Sequence, residues 1–102
     1  PIEHIKKFEL VKGDVVDTLP DYLEKHPETI IALAIFDMDI YHPTKEALLA
    51  IKERLVKGSI VAFDELNHPD FPGETIAFRE VFGSDYQLIR SPGNPYCSYI
   101  VI

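Results

Sequence analysis

A chain of 102 residues has room for one small domain at most. Its apolar fraction is 46%, and no apolar run is long enough to span a bilayer as a helix, so no membrane association is expected. Ten Lys and Arg against seventeen Asp and Glu give a formal charge of −7, which argues against a nucleic-acid partner because phosphate backbones select positive surface. The same balance suits a cytoplasmic protein, or a site that recruits a cation. The single cysteine, Cys97, excludes an internal disulfide and a cysteine zinc cluster. Its setting, Tyr96-Cys97-Ser98-Tyr99-Ile100, reads as strand with a packed, inert thiol. No signal or transit pattern is legible, and the opening Pro1 in place of Met reads as a fragment or a processed product.

Taken in chain order, Ile5 to Val11 is expected as a first strand with Phe8, Leu10 and Val11 as its apolar members, turning at Gly13-Asp14. A short helix is expected from Thr18 to Lys25, with Thr18 as N-cap, Pro20 in the first turn and Asp21 near the positive helix end. His26-Pro27 stops it. A strand follows over Ile30 to Phe36. His42-Pro43-Thr44 opens a second helix, carried by Ala47, Leu48, Ile51 and Leu55 at helical spacing and closed by Gly58. Ser59 to Phe63 reads as strand, Leu66 to Pro72 as loop, and Gly73 to Phe82 as a helix packed through Ile76, Ala77, Val81 and Phe82. Tyr86 to Arg90 and Cys97 to Ile102 read as two final strands, antiparallel to each other because no helix separates them. Strands alternating with helices define an α/β chain with a mostly parallel sheet.

The chemistry gathers at two strand ends. Ile30-Ile31-Ala32-Leu33-Ala34-Ile35-Phe36 runs without alternation, as a strand buried on both faces does, and then releases Asp37 and Asp39. In parallel sheets, ligands bind beyond the carboxyl ends of the strands. The pattern returns where Ile60 to Phe63 is followed by Asp64-Glu65. Carboxyl groups brought that close repel and raise one another's pKa, so a cation or a shared proton is expected among them. Hard oxygen donors suit Mg²⁺, Ca²⁺ or Mn²⁺ rather than zinc. Each acid alone reads equally well as a turn or helix cap, and it is the repetition at two strand ends that favours a metal site. His68, in the loop after Glu65, is a candidate contact to substrate or ion. Tyr41 is a candidate substrate wall with a core role as its alternative. His26 is explained by a helix end, whereas His42, near Asp39, reads equally well as lining the site or as part of a helix N-terminus. No glycine belongs to a phosphate-binding loop pattern.

These segments resemble a known family. Val-Lys-Gly-Asp-Val-Val-Asp-Thr-Leu-Pro-Asp-Tyr-Leu, residues 11–23, is similar to the segment after the third strand of class I S-adenosylmethionine-dependent methyltransferases. Phe36 to Thr44 resembles the D-x-D-x-Y-x-x-T segment of the macrocin and novobiocin sugar O-methyltransferases. Gly58 to Glu65 resembles their G-G-x-x-x-x-D-D, and Phe71 to Phe82 their F-x-G-x-x-x-A-x-x-x-F. The resemblance implies the C-terminal portion of a Rossmann-like methyltransferase sheet, a single partial domain over residues 1–102 that lacks the N-terminal strands cradling the cofactor. It implies S-adenosylmethionine as methyl donor, with Gly13, Asp14, Val15 and Asp37 on the cofactor side. It implies a divalent ion, usually Mg²⁺, at Asp37, Asp64 and Glu65, and Asp37 or Asp39 as the base that frees a substrate hydroxyl. Glu65 departs from the family's Asp. The implied partner is a small hydroxylated acceptor. A chain without the first strands is expected to have little activity alone, and to be completed by a missing N-terminal half or by pairing as a homodimer.

Two other readings compete. Phe36-Asp37-Met38-Asp39 also resembles the first motif of haloacid-dehalogenase-type phosphohydrolases, which use Mg²⁺ as well, but Ile40-Tyr41-His42-Pro43 does not continue that motif. A non-catalytic α/β assembly module would use the acids only as turn caps.

Overall fold

The computed structural model describes residues 7–64, 72–90, 92–93 and 97–102. Helix α1 (Val15–Lys25) leads to β1 (Ile31–Phe36), α2 (Tyr41–Ile51), a 3₁₀ turn (Lys52–Arg54), β2 (Leu55–Phe63), α3 (Gly73–Phe82), β3 (Ile89–Arg90) and β4 (Ser98–Val101). The strands form one sheet in the order β1-β2-β4-β3. β1 and β2 are parallel, joined through α2, whereas β4 runs antiparallel to both β2 and β3. The class is α/β and the final pair is antiparallel, as the spacing of elements requires. The sheet is mixed, since of its three pairings only β1 with β2 is parallel.

Pairing places Phe36 beside Phe63 and Val61 beside Ile100, on the face that the helices cover. Leu23 of α1, Ala47, Leu48 and Ile51 of α2, and Ala77, Phe78, Val81 and Phe82 of α3 join these strand residues in a single core. Phe36, Phe63, Phe78 and Phe82 follow one another through it with ring centroids 5.4–5.8 Å apart. Among the described residues, the opposite face has no such cover. Leu33 and Ile35 are 56% and 70% exposed, and Val101 and Ile89 are exposed beside them. Among the described residues, no helix is long and apolar enough to cross a membrane.

Several elements differ from the sequence reading, each for a local reason. The expected strand over Ile5 to Val11 does not form within the described residues 7–12, where Phe8, Leu10 and Val11 are exposed. A strand needs a ladder partner, and neither outer strand of this sheet pairs with that segment. Helix α1 begins before Thr18, because Asp14 is the better cap: its side chain accepts the Val16 N–H at 3.0 Å. Pro20 therefore lies inside the helix rather than in its first turn. Gly58 does not close α2. It sits within β2 at φ +95°, where the β1–β2 register slips between Ile31 and Leu33, and its N–H donates to the Ile102 carbonyl. Leu55 accordingly starts β2 instead of ending a helix. Ile76 faces solvent, and Phe78 takes its place in the core. The strand expected from Tyr86 is confined to Ile89–Arg90.

Arg54 ties the connection between α1 and β1 to the rest. Its guanidinium donates to the carbonyls of Leu23, His26 and Pro27 at 2.9–3.2 Å, covering the end of α1 that lacks helical partners.

Candidate active site at the sheet edge

β1 and β2 end side by side. The Asp64 N–H donates to the Phe36 carbonyl at 3.0 Å, so the ladder continues one step past the strands and sets Asp64 beside Asp37. Of the acids expected to meet, Asp37 and Asp64 are thus brought side by side. Burial first, then the charge of Asp37, a hydrogen bond with Asp37 and the charge of Asp39 together push the Asp64 carboxyl above the ordinary aspartate value. Asp37 and Asp39 thus both act on Asp64 at this edge. Among the described residues, no three His, Cys, Asp or Glu side chains form a ready-made metal cluster. Glu65, the third expected ligand, and His68, the expected substrate contact, lie outside the described residues.

The chain turns sharply after Asp37. Asp39 has φ +63°, in the left-handed region, and the Ile40 N–H donates to the Met38 carbonyl at 2.7 Å, closing a γ-turn on Asp39. Asp39 Oδ1 is buried and has no hydrogen-bond partner among the described residues. A buried acceptor left unpaired is costly, and such an atom is where an incoming hydrogen-bond donor or cation gains most. Directly below, Glu74 of α3 is fully buried, and its Oε2 accepts the N–H groups of Met38 and Asp39 at 3.0 and 3.1 Å. Glu74 was not legible as a site residue, since an acid in a first helical turn ordinarily faces water. The spacing Glu74, Phe78, Phe82 held the signal, because it puts the acid on the buried stripe of the helix.

Gly73 allows this approach. A Cβ there would strike the Tyr41 backbone nitrogen and lie 2.7 Å from the Ile40 carbonyl carbon and 2.9 Å from the Asp39 carbonyl oxygen. Tyr41, the candidate substrate wall, is half-buried, and its hydroxyl donates to Glu80 Oε2 at 2.6 Å. Lys45 Nζ meets the same oxygen at 2.8 Å and lies 5.6 Å from the Tyr41 ring centroid. The hydrogen bond with Lys45 holds Glu80 below the ordinary glutamate value, and the bond with Glu80 raises Lys45. The Tyr41 hydroxyl is thus engaged with α3.

The residues assigned to the cofactor side divide. Gly13 and Val15 line a cavity of about 410 Å³ with Val11, Thr18, Leu19 and Tyr22, whereas Asp14 is occupied in capping α1. Asp37 belongs to the sheet edge and is not part of that cavity.

Solved structures resemble this chain closely. The apo structure of CalS11, a TDP-rhamnose 3′-O-methyltransferase of calicheamicin biosynthesis, is 55% identical over 90% of this chain with a TM-score of 0.86, and a second CalS11 structure matches equally well. The O-methyltransferase NovP shares the fold over 97% of the chain, at 22% identity and a TM-score of 0.68. This chain spans 40% of the length of the first CalS11 chain. Neither the protein-family models nor the curated proteins give a match. The resemblance to sugar O-methyltransferases read from the motifs therefore holds over the stretch this chain spans.

Proposed function

We propose, from this likeness to sugar O-methyltransferases, that the chain carries the acidic, acceptor-handling part of an enzyme that methylates a sugar hydroxyl. The observation that supports it is the meeting of Asp37 and Asp64 at neighbouring parallel strand ends, in a chain 55% identical to a TDP-rhamnose 3′-O-methyltransferase. The acceptor is a small hydroxylated molecule, a nucleotide-linked sugar by analogy, and the setting is cytoplasmic.

The donor set fits a hard divalent cation. Oxygen donors from Asp37 and Asp64 adjoin, Asp39 offers a buried oxygen unpaired among the described residues, and Glu65 follows in sequence. When bound, S-adenosylmethionine supplies an electrophilic methyl group, and Mg²⁺ or a similar ion lowers the pKa of the acceptor hydroxyl. Asp37, Asp64 and Glu65 would hold the ion. Asp39, or Asp37, would accept the hydroxyl proton as the new oxygen–carbon bond forms and the methyl–sulfur bond breaks. Gly13 and Val15, in a cavity of ligand size also lined by Glu9 and Thr18, would receive part of the cofactor. The sheet face and the β1 edge left open among the described residues would be completed by an N-terminal half or by a second copy.

Calorimetric titration with Mn²⁺ or Mg²⁺, with and without S-adenosylhomocysteine, tests the assignment on wild type and Asp64→Ala. The expected result is ion binding that disappears in the variant, with little cofactor binding by the chain alone. Ion binding unchanged by Asp64→Ala would remove the carboxylate site. The phosphohydrolase reading draws no support from these neighbours, all of which are methyltransferases.

A further inference from the structure

We infer that Glu74 is the positioning residue of the acidic edge, its buried carboxyl group holding the backbone of Met38 and Asp39 so that Asp37 and Asp39 are presented beside Asp64.

Four observations carry this. Glu74 is fully buried among apolar residues of α3, a placement that costs stability unless its oxygens are hydrogen-bonded. One of those oxygens, Oε2, takes two successive N–H groups, Met38 at 3.0 Å and Asp39 at 3.1 Å, at the point where β1 has run out of ladder partners. The segment it holds is bent against its own preference: Asp39 stands at φ +63° inside a γ-turn, a conformation that a non-glycine residue keeps only when its surroundings impose it. The result is crowding, since the Asp64 N–H donates to the Phe36 carbonyl right beside this turn, while Asp39 Oδ1 is buried with no hydrogen-bond partner among the described residues. Thr44 supports the same turn from α2, its hydroxyl donating to the Ile40 carbonyl at 2.7 Å. That contact fixes the start of α2, however, and leaves the N–H groups of 38 and 39 to Glu74. Glu74 reaches the backbone N–H groups of Met38 and Asp39, so its action is through the backbone that bears the acids.

Glu74→Leu and Glu74→Gln separate this role from a packing role. Leucine fills the site with apolar volume and offers no acceptor, whereas glutamine keeps an oxygen at the same reach. The Leu variant is expected to lose protection of the Met38 and Asp39 amides against hydrogen exchange. Its Mn²⁺ affinity should fall on the order of tenfold or more, the scale of losses when groups that orient metal ligands are removed. The Gln variant should keep both properties. A folded Leu variant that binds Mn²⁺ as wild type does would overturn the inference. If Leu does not fold, Glu74→Ala is read in the same way.

The Mn²⁺ arm rests on the metal reading proposed above, but the backbone arm does not. Should wild type bind no Mn²⁺, the metal reading fails by itself, and residual dipolar couplings at residue 39 decide the inference. Departure of Asp39 from positive φ in the Leu variant supports it, and an unchanged backbone refutes it.

Discussion

Asp64 illustrates how one residue can record the purpose of its surroundings. Its carboxyl is raised chiefly by burial and then by Asp37, with Asp39 adding to the effect, so the folded chain favours its protonated form more than the unfolded chain does. A folded-state pKa above the unfolded one means the native state binds the extra proton. In the absence of a cation, this group's contribution is therefore most favourable below the ordinary aspartate value, about 4, and declines as pH rises through the raised value. Asp64→Asn should melt at a higher temperature than wild type at neutral pH, with the gap closing on acidification. Thermal melts across that range check it, and a constant gap at every pH would show that the charge interaction is unimportant. The acids themselves were legible because apolar runs end abruptly in them. Glu74 was not, because its hydrogen-bond partners lie 35 and 36 positions away and nothing local announces them.

At the scale of elements, the structure rewards local signals and withholds non-local ones. α3 has the bounds its Gly73 and Gly83 mark, and β1 and β2 take in the apolar runs Ile31 to Phe36 and Ile60 to Phe63. The first expected strand had a fitting composition, yet pairing is decided by neighbours, and residues 8–11 have none in this sheet. The start of α1 turned on which of two competent caps, Asp14 or Thr18, reached an N–H. The contact of α3 with the turn after β1 also depends on Gly73, since any Cβ there overlaps the backbone at residues 39–41. Gly73→Ala is expected to destabilise the fold by about 1–3 kcal/mol, the usual cost of overpacking. It should also displace the Asp39 turn. Urea unfolding measures the first effect, and a variant as stable as wild type would show that α3 does not press on that turn.

For the whole molecule, the distribution of apolar surface carries the argument. Among the described residues, the helices and one face of the sheet share a single core, whereas Leu33, Ile35, Ile89 and Val101 leave the other face open and β1 leaves an edge unpaired. Exposed apolar patches and free strand edges mark surfaces meant for covering. That uneven burial was hidden in the sequence, where the run Ile30 to Phe36 promised a strand buried on both faces. It accords with the proposal that a further half completes the sheet, and with a chain spanning 40% of a CalS11 chain.

The measurement that bears most directly on the account is methyl transfer by a chimera in which this chain replaces its matching segment in CalS11. Product is read by mass spectrometry with S-adenosylmethionine and TDP-rhamnose, for the unaltered chimera and for one carrying Asp64→Ala. The account predicts a methylated sugar from the first, and a rate lower by on the order of 10²-fold or more from the second. A folded chimera that transfers no methyl group, or an Asp64→Ala chimera as active as its parent, would contradict it.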